Sequence, residues 1–176
     1  MNRIWAPWRM PYIESADGTR ATCLFCDCLA QPDNAENLVV HRAQHAFVIL
    51  NRFPYTNGHM MVVPYQHVPT IVDLEPSAQA ELMQLSGLAL VVLTGAYGAQ
   101  SFNVGINIGA SAGAGIAEHV HVHVVPRWAG DTNFMATTAH TRVIPEDLTR
   151  TYQRLNDEWQ SLTRGDGRPI GSPGAD

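Results

Sequence analysis

Residues 113–128 read GAGIAEHVHVHVVPRW and contain the most informative pattern in the chain. Single valines separate His119, His121 and His123, and this period of two is typical of a β-strand. Because a strand rises about 3.3 Å per residue, histidines two positions apart lie about 6.6 Å apart on one face. The pattern predicts a strand whose three imidazoles can surround one small group, while the valines enter a core.

The composition indicates a globular protein and limits its chemistry. The 176 residues suffice for one domain with a substantial core, and 45% of them are hydrophobic. The net charge of −5 provides no field that attracts nucleic acid, so we expect no nucleic-acid partner. All eleven basic residues are arginines, which excludes a Walker P-loop and any covalent adduct on a lysine. If the protein acts on phosphorus, histidine is the obvious nucleophile.

Targeting and cysteine patterns predict a cytoplasmic protein. Residues 1–15 lack the uninterrupted apolar run of a signal peptide, and the most apolar segment, Leu88–Leu93, is too short to span a bilayer. We therefore expect no membrane partner. Cys23, Cys26 and Cys28 cluster without a distant partner, which argues against a disulfide framework and for a candidate metal site.

Three further segments carry strand patterns. Segments 46–51 (AFVILN) and 59–64 (HMMVVP) flank a loop with an Asn57-Gly58 pair, so they predict a hairpin with a longer loop. Segment 101–109 (SFNVGINIG) alternates like a strand. Its apolar face consists of Phe102, Val104, Ile106 and Ile108. With the histidine strand, these segments predict an α+β domain with an antiparallel sheet and helices on one side.

Two segments carry the 3.6-residue period of amphipathic helices. The first begins at Pro76, a residue suited to the first helical position, and ends at Gly95 or Gly98. The second follows Pro145 and has an apolar stripe that packs on the sheet or on another subunit. The stripe consists of Leu148, Tyr152, Leu155, Trp159 and Leu162.

We predict a single domain over residues 1–164. The aromatic- and proline-rich residues 1–20 are expected to form an arm laid over the body of this domain. Residues 165–176 contain glycine and proline but little apolar surface, so they are expected to form a flexible tail.

Three interpretations of the histidine strand follow from the residues alone. The histidines can be surface side chains of a half-exposed strand, although their strict register and the preceding SAGAG segment argue against this. They can also ligate a catalytic zinc with water as the fourth ligand. In the third interpretation, one imidazole is a nucleophile for phosphorus, and its neighbours orient it and transfer protons.

Residues 119–125 (HVHVHVV) resemble the H-φ-H-φ-H-φ-φ signature of the histidine triad (HIT) superfamily of nucleotide hydrolases and transferases. LNRFPYTNGHMMVVP and NIGASAGAG are similar to the family's upstream hairpin and to its asparagine strand with phosphate loop. HVVPRWAGDTNF resembles the branch that cleaves dinucleoside polyphosphates. These segments follow in the family's order over residues 20–145. The resemblance implies a HIT-like fold of about five antiparallel strands and two main helices, assembled as a homodimer.

The resemblance also implies a mechanism. His121 attacks the α-phosphorus of a nucleoside polyphosphate, and a dinucleoside tetraphosphate is the favoured substrate. A covalent nucleotidyl-histidine forms and is released to water or phosphate, while His123 contacts the phosphate oxygens or the leaving group. A neutral imidazole is nucleophilic at about pH 7 when its other nitrogen keeps a proton bonded to an acceptor. His59, in the hairpin turn, is a further candidate for this pocket.

More residues of the substrate site are implied in the same way. Asn51 holds the ribose hydroxyls, and Asn107 reaches the phosphates. Phe47 and Ile49 share a face with Asn51 and can flank the base, although core packing explains Phe47 equally well. Trp128 is either a stacking partner for a second base or a dimer contact.

The glycine-rich loop before the histidines supplies main-chain donors. Small residues let N–H groups approach phosphate oxygens and stabilise developing charge. The loop residues expected to contact phosphate are Gly113, Ala114, Gly115 and Ile116. Many family members have a glutamine or serine here, whereas this chain has Gly115 and Ile116. The corresponding contact therefore comes from the main chain or is missing.

Cys23 and Cys26 form a C-x₂-C pair, which needs two more ligands to hold zinc. Some HIT relatives, including the galactose-1-phosphate uridylyltransferases, pair such a motif with two histidines. The resemblance implies a structural zinc on Cys23, Cys26, His67 and His119. Cys28 can compete as a ligand, and a reduced thiol pair packed under the N-terminal arm is the alternative.

Two other functions stay open at this point. Within the same family, a nucleoside phosphoramidase has the same nucleophile. A non-catalytic, zinc-stabilised nucleotide-binding module belongs to a different class. In each case a small-molecule nucleotide is the expected ligand, and no residue distinguishes release to water from release to phosphate.

Overall fold

The computed structural model describes residues 23–131 and 146–164. The strands are β1 Val39–Arg42, β2 Ala46–Leu50, β3 Met60–Pro64, β4 Ser101–Ile106 and β5 Val122–Arg127. The helices are α1 Leu24–Leu29, α2 Pro76–Tyr97 and α3 Leu148–Thr163. The predictions for the arm (1–20), for the tail (165–176) and for Pro145 lie outside the described residues.

The five strands form one antiparallel sheet in the order β1-β2-β3-β5-β4, which confirms the predicted α+β class. The predicted β2–β3 hairpin pairs Phe47 with Val63 and Ile49 with Met61, and every residue of both strands is buried. Strand β1 was not predicted from the sequence. This strand has only four residues, and its register against β2 shifts between Val39 and His41, so its apolar pattern is short and interrupted.

The histidine strand is shorter than its pattern predicted. β5 begins at Val122, so His119 and His121 precede the paired strand. The valine side chains enter the core as expected, with Val120, Val122 and Val124 at most 2% exposed. β5 begins late because β3 pairs with it only from Met60 to Val62. The chain before Val122 instead bonds to the segment that follows β3, where the Val120 N–H donates to the Val68 carbonyl.

Helix α2 begins with Pro76, as predicted, and ends at Tyr97. Gly98 follows in the left-handed conformation (φ 59°) and caps the helix with its N–H on the Thr94 carbonyl, so Gly98 rather than Gly95 stops it. The buried residues of α2 pack on the sheet. They are Ala78, Leu82, Leu85, Ser86, Ala89, Val92 and Leu93.

By length and composition alone, α2 is apolar enough to cross a membrane, with a mean hydropathy of 1.3 over its best window. The expectation of no membrane span rested on Leu88–Leu93, a segment much shorter than this helix. The core helix of a globular domain passes the same test, and α2 packs against β2, β3 and β5. The finding is therefore weak support for a membrane span.

Helix α3 begins at Leu148, where the Asp147 side chain accepts the Arg150 N–H at 2.9 Å and caps the helix. Its predicted apolar stripe is confirmed, since Tyr152, Leu155 and Trp159 are buried. The stripe packs against α2 and β1. The two long helices therefore cover one face of the sheet.

Candidate active site and metal centre

The turn between β2 and β3 places His59 beside the histidine strand. Gly58 has φ 75°, and a Cβ atom there would lie 2.7 Å from Leu93 Cδ2 on α2. Only glycine suits both the left-handed backbone and this close approach to the helix. The His59 side chain is fully buried, and its ring lies 5.2 Å from that of His123 and 4.5 Å from that of Tyr55.

Hydrogen bonds determine which nitrogen of His59 carries the proton. The Tyr55 N–H donates to His59 Nδ1 at 3.2 Å, and the Asn51 amide lies 3.3 Å from the same nitrogen. Because Nδ1 accepts, the neutral ring carries its proton on Nε2, which lies 3.0 Å from His123 Nδ1. His123 Nδ1 accepts in turn, so its own proton is on Nε2. His123 can therefore donate a proton from Nε2.

His121 has the opposite tautomer. Its Nδ1–H donates to the His119 backbone carbonyl at 2.9 Å, which leaves a lone pair on Nε2. The side chain is only 4% exposed, and its ring contacts those of Phe25 (5.0 Å) and His123 (4.8 Å). Neighbouring rings thus present a nucleophilic nitrogen and a proton donor, which is the pairing that attack on phosphorus needs.

Burial keeps these imidazoles neutral. It lowers the pKa of His59 to about 3, with a smaller effect of the nearby His123 and His121. It lowers the pKa of His123 to about 4, again with help from His121. Burial also lowers the pKa of His121, although the hydrogen bond to the His119 carbonyl opposes the shift. The tautomers above therefore describe the protein at neutral pH.

The β4 side of the site is open. Gly105 pairs with His123, and a Cβ atom at Gly105 would meet no atom within 4 Å, so space remains beside the His123 ring. The pairing of β4 with β5 ends at Ile106 and Val122, so Asn107 and His121 each lie one residue beyond the paired strands. Asn107 is half-buried there. The predicted asparagine thus directly follows the strand that pairs with the histidine strand.

The glycine-rich loop forms a 3-10 turn over Ala110–Ala112. The N–H groups of Gly113 and Ala114 donate to the carbonyls of Ala110 and Gly109 within the loop. These two donors, expected at the phosphate, are thus used for the turn itself. Gly115 and Ile116 follow on the approach to His119, with Gly115 exposed and Ile116 half-buried.

The predicted base-binding residues separate into two groups. Phe47 is fully buried and stacks on Tyr65 at 5.8 Å, so the structure uses it as a core residue. Ile49 is 5% exposed, and Asn51 is half-buried with its side-chain oxygen accepting the Phe53 N–H. Trp128 is half-buried, and its indole N–H donates to the Tyr97 carbonyl, which ties it to the end of α2.

The predicted metal ligands converge in space. Potential ligand atoms of Cys23, Cys26, His67 and His119 all lie within 4.8 Å of one another. His119 Nδ1 is 3.3 Å from Cys23 Sγ, and His67 Nδ1 is 3.4 Å from Cys26 Sγ. Two thiols and two imidazoles form a donor set that suits tetrahedral zinc. This cluster can hold a metal.

A further contact prepares His119 for a metal. Its Nε2–H donates to the Pro64 carbonyl at 2.9 Å, so its Nδ1 lone pair faces the thiols. Both ring nitrogens of His119 are therefore directed away from His121 and His123, which argues against the three-histidine zinc site. Cys28 is buried in the core and is not part of the cluster, so the structure does not support it as a competing ligand.

Three contributors to the site were missed by sequence reasoning. Phe25 is buried against the His119 and His121 rings. The Arg42 and Asn37 side chains donate to carbonyl oxygens at the end of α1. The only available signal was that Phe25 lies inside the C-x₂-C motif, where its apolar side chain must pack near the ligands.

Comparisons with known proteins agree with this geometry. The family model of the HIT domain matches residues 33–130. AP-4-A phosphorylase of Mycobacterium tuberculosis is 39% identical over 90% of this chain and 85% of its own length. An asymmetrical bis(5'-nucleosyl)-tetraphosphatase of Schizosaccharomyces pombe is 33% identical over 53% of this chain and 50% of its own length. A zinc-bound histidine triad family protein of Mycobacterium smegmatis has a similar fold (TM-score 0.66, 25% identity, 82% of this chain, 97% of that chain).

Proposed function

This chain belongs to the HIT domain family, and we propose that it cleaves dinucleoside polyphosphates such as diadenosine tetraphosphate at the α-phosphorus. One observation carries the proposal: the His121 ring, with its lone pair on Nε2, lies 4.8 Å from the His123 ring, whose proton is on Nε2. The relatives named as an AP-4-A phosphorylase and a bis(5'-nucleosyl)-tetraphosphatase support this substrate class.

The proposed reaction has two steps. His121 Nε2 attacks the α-phosphorus, a P–N bond forms, and the P–O bond to the rest of the polyphosphate breaks. His123 donates its Nε2 proton to the departing phosphate oxygen, and ATP leaves when the substrate is diadenosine tetraphosphate. Phosphate or water then breaks the P–N bond, which gives ADP or AMP respectively. We infer phosphate as the acceptor, because a relative that is 39% identical over 90% of this chain is named a phosphorylase.

Product analysis tests this choice. Purified protein is incubated with diadenosine tetraphosphate, with and without inorganic phosphate, and the nucleotides are separated. ADP and ATP that form only when phosphate is present are the expected result. AMP and ATP in both reactions would identify a hydrolase instead. If only a nucleoside phosphoramidate is cleaved, the phosphoramidase alternative is correct, and binding without any turnover would identify a non-catalytic module.

The covalent step is tested by substitution of the nucleophile. His121→Asn is expected to retain the fold and nucleotide affinity but to lose turnover by a factor of at least about 10³, since the nucleophile is gone. His45→Asn is a matched control, because His45 lies at the β1–β2 turn, away from the site. Mass spectrometry of quenched wild-type reactions should locate the nucleotide on His121. Full activity of His121→Asn would contradict the mechanism.

For the substrate, we propose that Ile49 and Asn51 contact the first nucleoside and that Asn107, Gly115 and Ile116 contact the phosphates. The support is positional, since Asn107 directly follows β4, which pairs with the histidine strand, and the loop precedes His119. Trp128 is a candidate to stack on the second base. Its hydrogen bond to the Tyr97 carbonyl would hold the indole in place. His59 acts in this scheme through His123 rather than on the substrate.

We further propose that Cys23, Cys26, His67 and His119 hold a structural zinc ion. The cluster geometry and the zinc-bound M. smegmatis relative support this. Zinc bound there would join the segment that precedes β5 to helix α1. It would thereby hold the neighbouring His121 in position. Elemental analysis should find one zinc per chain. Cys23→Ser should lose the metal and melt at a lower temperature, whereas Cys28→Ala should keep it. Native protein without zinc would contradict the assignment.

Two remaining proposals concern the environment of the protein. The exposed β4 edge supports a homodimer, because Val104 and Ile108 are each 44% exposed. The thiols of Cys23, Cys26 and Cys28 are not joined in disulfides, which fits a reducing cytoplasm. Cell fractionation tests the location.

A further inference from the structure

We propose that Phe25 is a positioning residue that holds the His121 ring in its reactive orientation and links it to the metal cluster. The inference rests on the proposed function, because it concerns the same nucleophile. Phe25 is 1% exposed and lies on α1, between the two cysteines of the C-x₂-C motif. It does not touch the reacting atoms in this scheme; it acts through His121.

The contacts of the Phe25 ring are specific. It lies 5.0 Å from the His121 ring at a tilt of 59° and 5.3 Å from the His119 ring in an edge-to-face arrangement. One aromatic side chain thus packs on both the nucleophile and a metal-ligand histidine. His121 also contacts the His123 ring, at 4.8 Å. The nucleophile therefore packs against two rings, those of Phe25 and His123.

These ring contacts restrict rotation of the His121 imidazole about its hydrogen bond to the His119 carbonyl. The bond from His121 Nδ1 to the His119 carbonyl anchors only one edge of the imidazole. A small rotation about that bond would swing Nε2 away from the line of attack, and misplacement of about 1 Å can cost a factor of about 10² in rate. Rotation towards α1 is blocked by Phe25, because interiors are close-packed.

Helix α1 is short, so its position depends on anchors at both ends. At the N-terminal end, Cys23 lies against His119 in the metal cluster. At the C-terminal end, Asn37 Nδ2 donates to the Cys28 carbonyl at 2.8 Å, and the Arg42 guanidinium donates to the Cys28 and Leu29 carbonyls. Phe25 lies between these anchors and cannot move without moving the thiols. The Phe25 side chain therefore connects the metal cluster to His121.

The test compares Phe25→Ala, Phe25→Leu and wild type in zinc content, affinity for a non-hydrolysable dinucleoside polyphosphate, and the rate of adenylyl transfer to His121 in a single turnover. For Phe25→Ala, we expect the transfer rate to fall about 10- to 100-fold, with affinity within about threefold and zinc retained. Phe25→Leu keeps apolar bulk and should recover part of the rate. Leu29→Ala, on the same helix and packed on the core, is the control and should transfer at the wild-type rate.

Three results would overturn the inference. They are an unchanged transfer rate in Phe25→Ala, equal losses of rate and nucleotide affinity, and a rate loss that occurs only in protein that has also lost zinc. If Phe25→Ala does not fold, Phe25→Leu carries the test, and a wild-type rate in that variant refutes the role. Failure of the proposed function itself is distinguishable, because wild-type protein would then transfer no nucleotide to His121.

Discussion

At the scale of single residues, the site depends on which nitrogen of each imidazole carries a proton. A main-chain N–H can only donate, so the Tyr55 N–H forces His59 Nδ1 to accept. His59 therefore carries its proton on Nε2 and donates it to His123 Nδ1, which leaves the His123 proton on Nε2. A backbone group outside the histidine strand thus sets the tautomer of the proposed proton donor. This chain of bonds could not be predicted from spacing, because it depends on the fold of the turn.

His59→Phe tests this chain of bonds. Phenylalanine retains the ring but offers no donor to His123 Nδ1, so His123 can place its proton on either nitrogen. We expect kcat to fall about tenfold or more, since positioned proton transfer contributes about 10² or more to rates. The Tyr55 N–H also loses its acceptor, which should destabilise the fold by about 1–3 kcal/mol. Steady-state kinetics and denaturant unfolding measure the two effects. An unchanged kcat would show that His59 does not set the tautomer of His123.

The same burial predicts a pH dependence of stability. The folded protein holds the pKa of His59 at about 3 and that of His123 at about 4, against 6.5 for an ordinary histidine. Between pH 6.5 and 4 the unfolded chain binds protons that the folded chain does not, so stability is fully present above pH 6.5 and falls as the pH is lowered through this window.

The comparison variant is again His59→Phe. It should lose less stability than wild type between pH 7 and pH 5, with a difference in slope of up to about 1.4 kcal/mol per pH unit, the value for one proton. Comparing variant with wild type removes the contribution of other groups, such as carboxylates. Urea unfolding at the two pH values gives the answer, and identical slopes would mean that His59 is not buried in its neutral form.

At the scale of elements, sequence periodicity predicted the structures with long apolar patterns. The β2–β3 hairpin, β4, α2 and α3 lie where they were expected. Helix α1 and strand β1 were missed, because six and four residues are too short for a period to show. The metal ligands were predicted from family resemblance, and the structure brings them together. The role of Phe25 was not predicted, because it depends on how α1 packs.

The β2–β3 turn shows how an element can position a side chain of the site, here His59, and Gly58→Ala tests this. Alanine at φ 75° costs about 1–3 kcal/mol in backbone strain, and its Cβ would also press on Leu93 Cδ2 at 2.7 Å. We expect a loss of stability and of kcat, because the turn carries His59. Thermal unfolding and activity assays measure both.

Gly98→Ala is the matched control for that experiment. Gly98 also has a left-handed backbone (φ 59°), but a Cβ atom there would meet nothing within 4 Å. The variant should show backbone strain alone, about 1 kcal/mol, with unchanged kcat. Equal effects of the two substitutions on kcat would mean that the turn does not position His59.

At the scale of the whole molecule, the two edges of the sheet differ. Edge strand β1 is covered by α3, and its first two residues are buried. Edge strand β4 is mostly exposed, although it carries the apolar alternation that predicted a buried face. Phe102 and Ile106 pack partly on the core, whereas Val104 and Ile108 remain 44% exposed. The pattern thus marks an apolar surface that residues 23–131 and 146–164 do not fully cover, and sequence alone could not distinguish this surface from a core.

Val104→Asp tests whether a second copy covers the β4 edge. Exposed apolar edge strands invite pairing, and a charge on the edge opposes it. We expect wild type to elute with twice the chain mass in size-exclusion chromatography with light scattering, and Val104→Asp to shift to the monomer. Val72→Asp is the control, since Val72 is 81% exposed outside the sheet and should leave the dimer intact. A monomeric wild type, or a dimer that survives Val104→Asp, would show that β4 is not the interface.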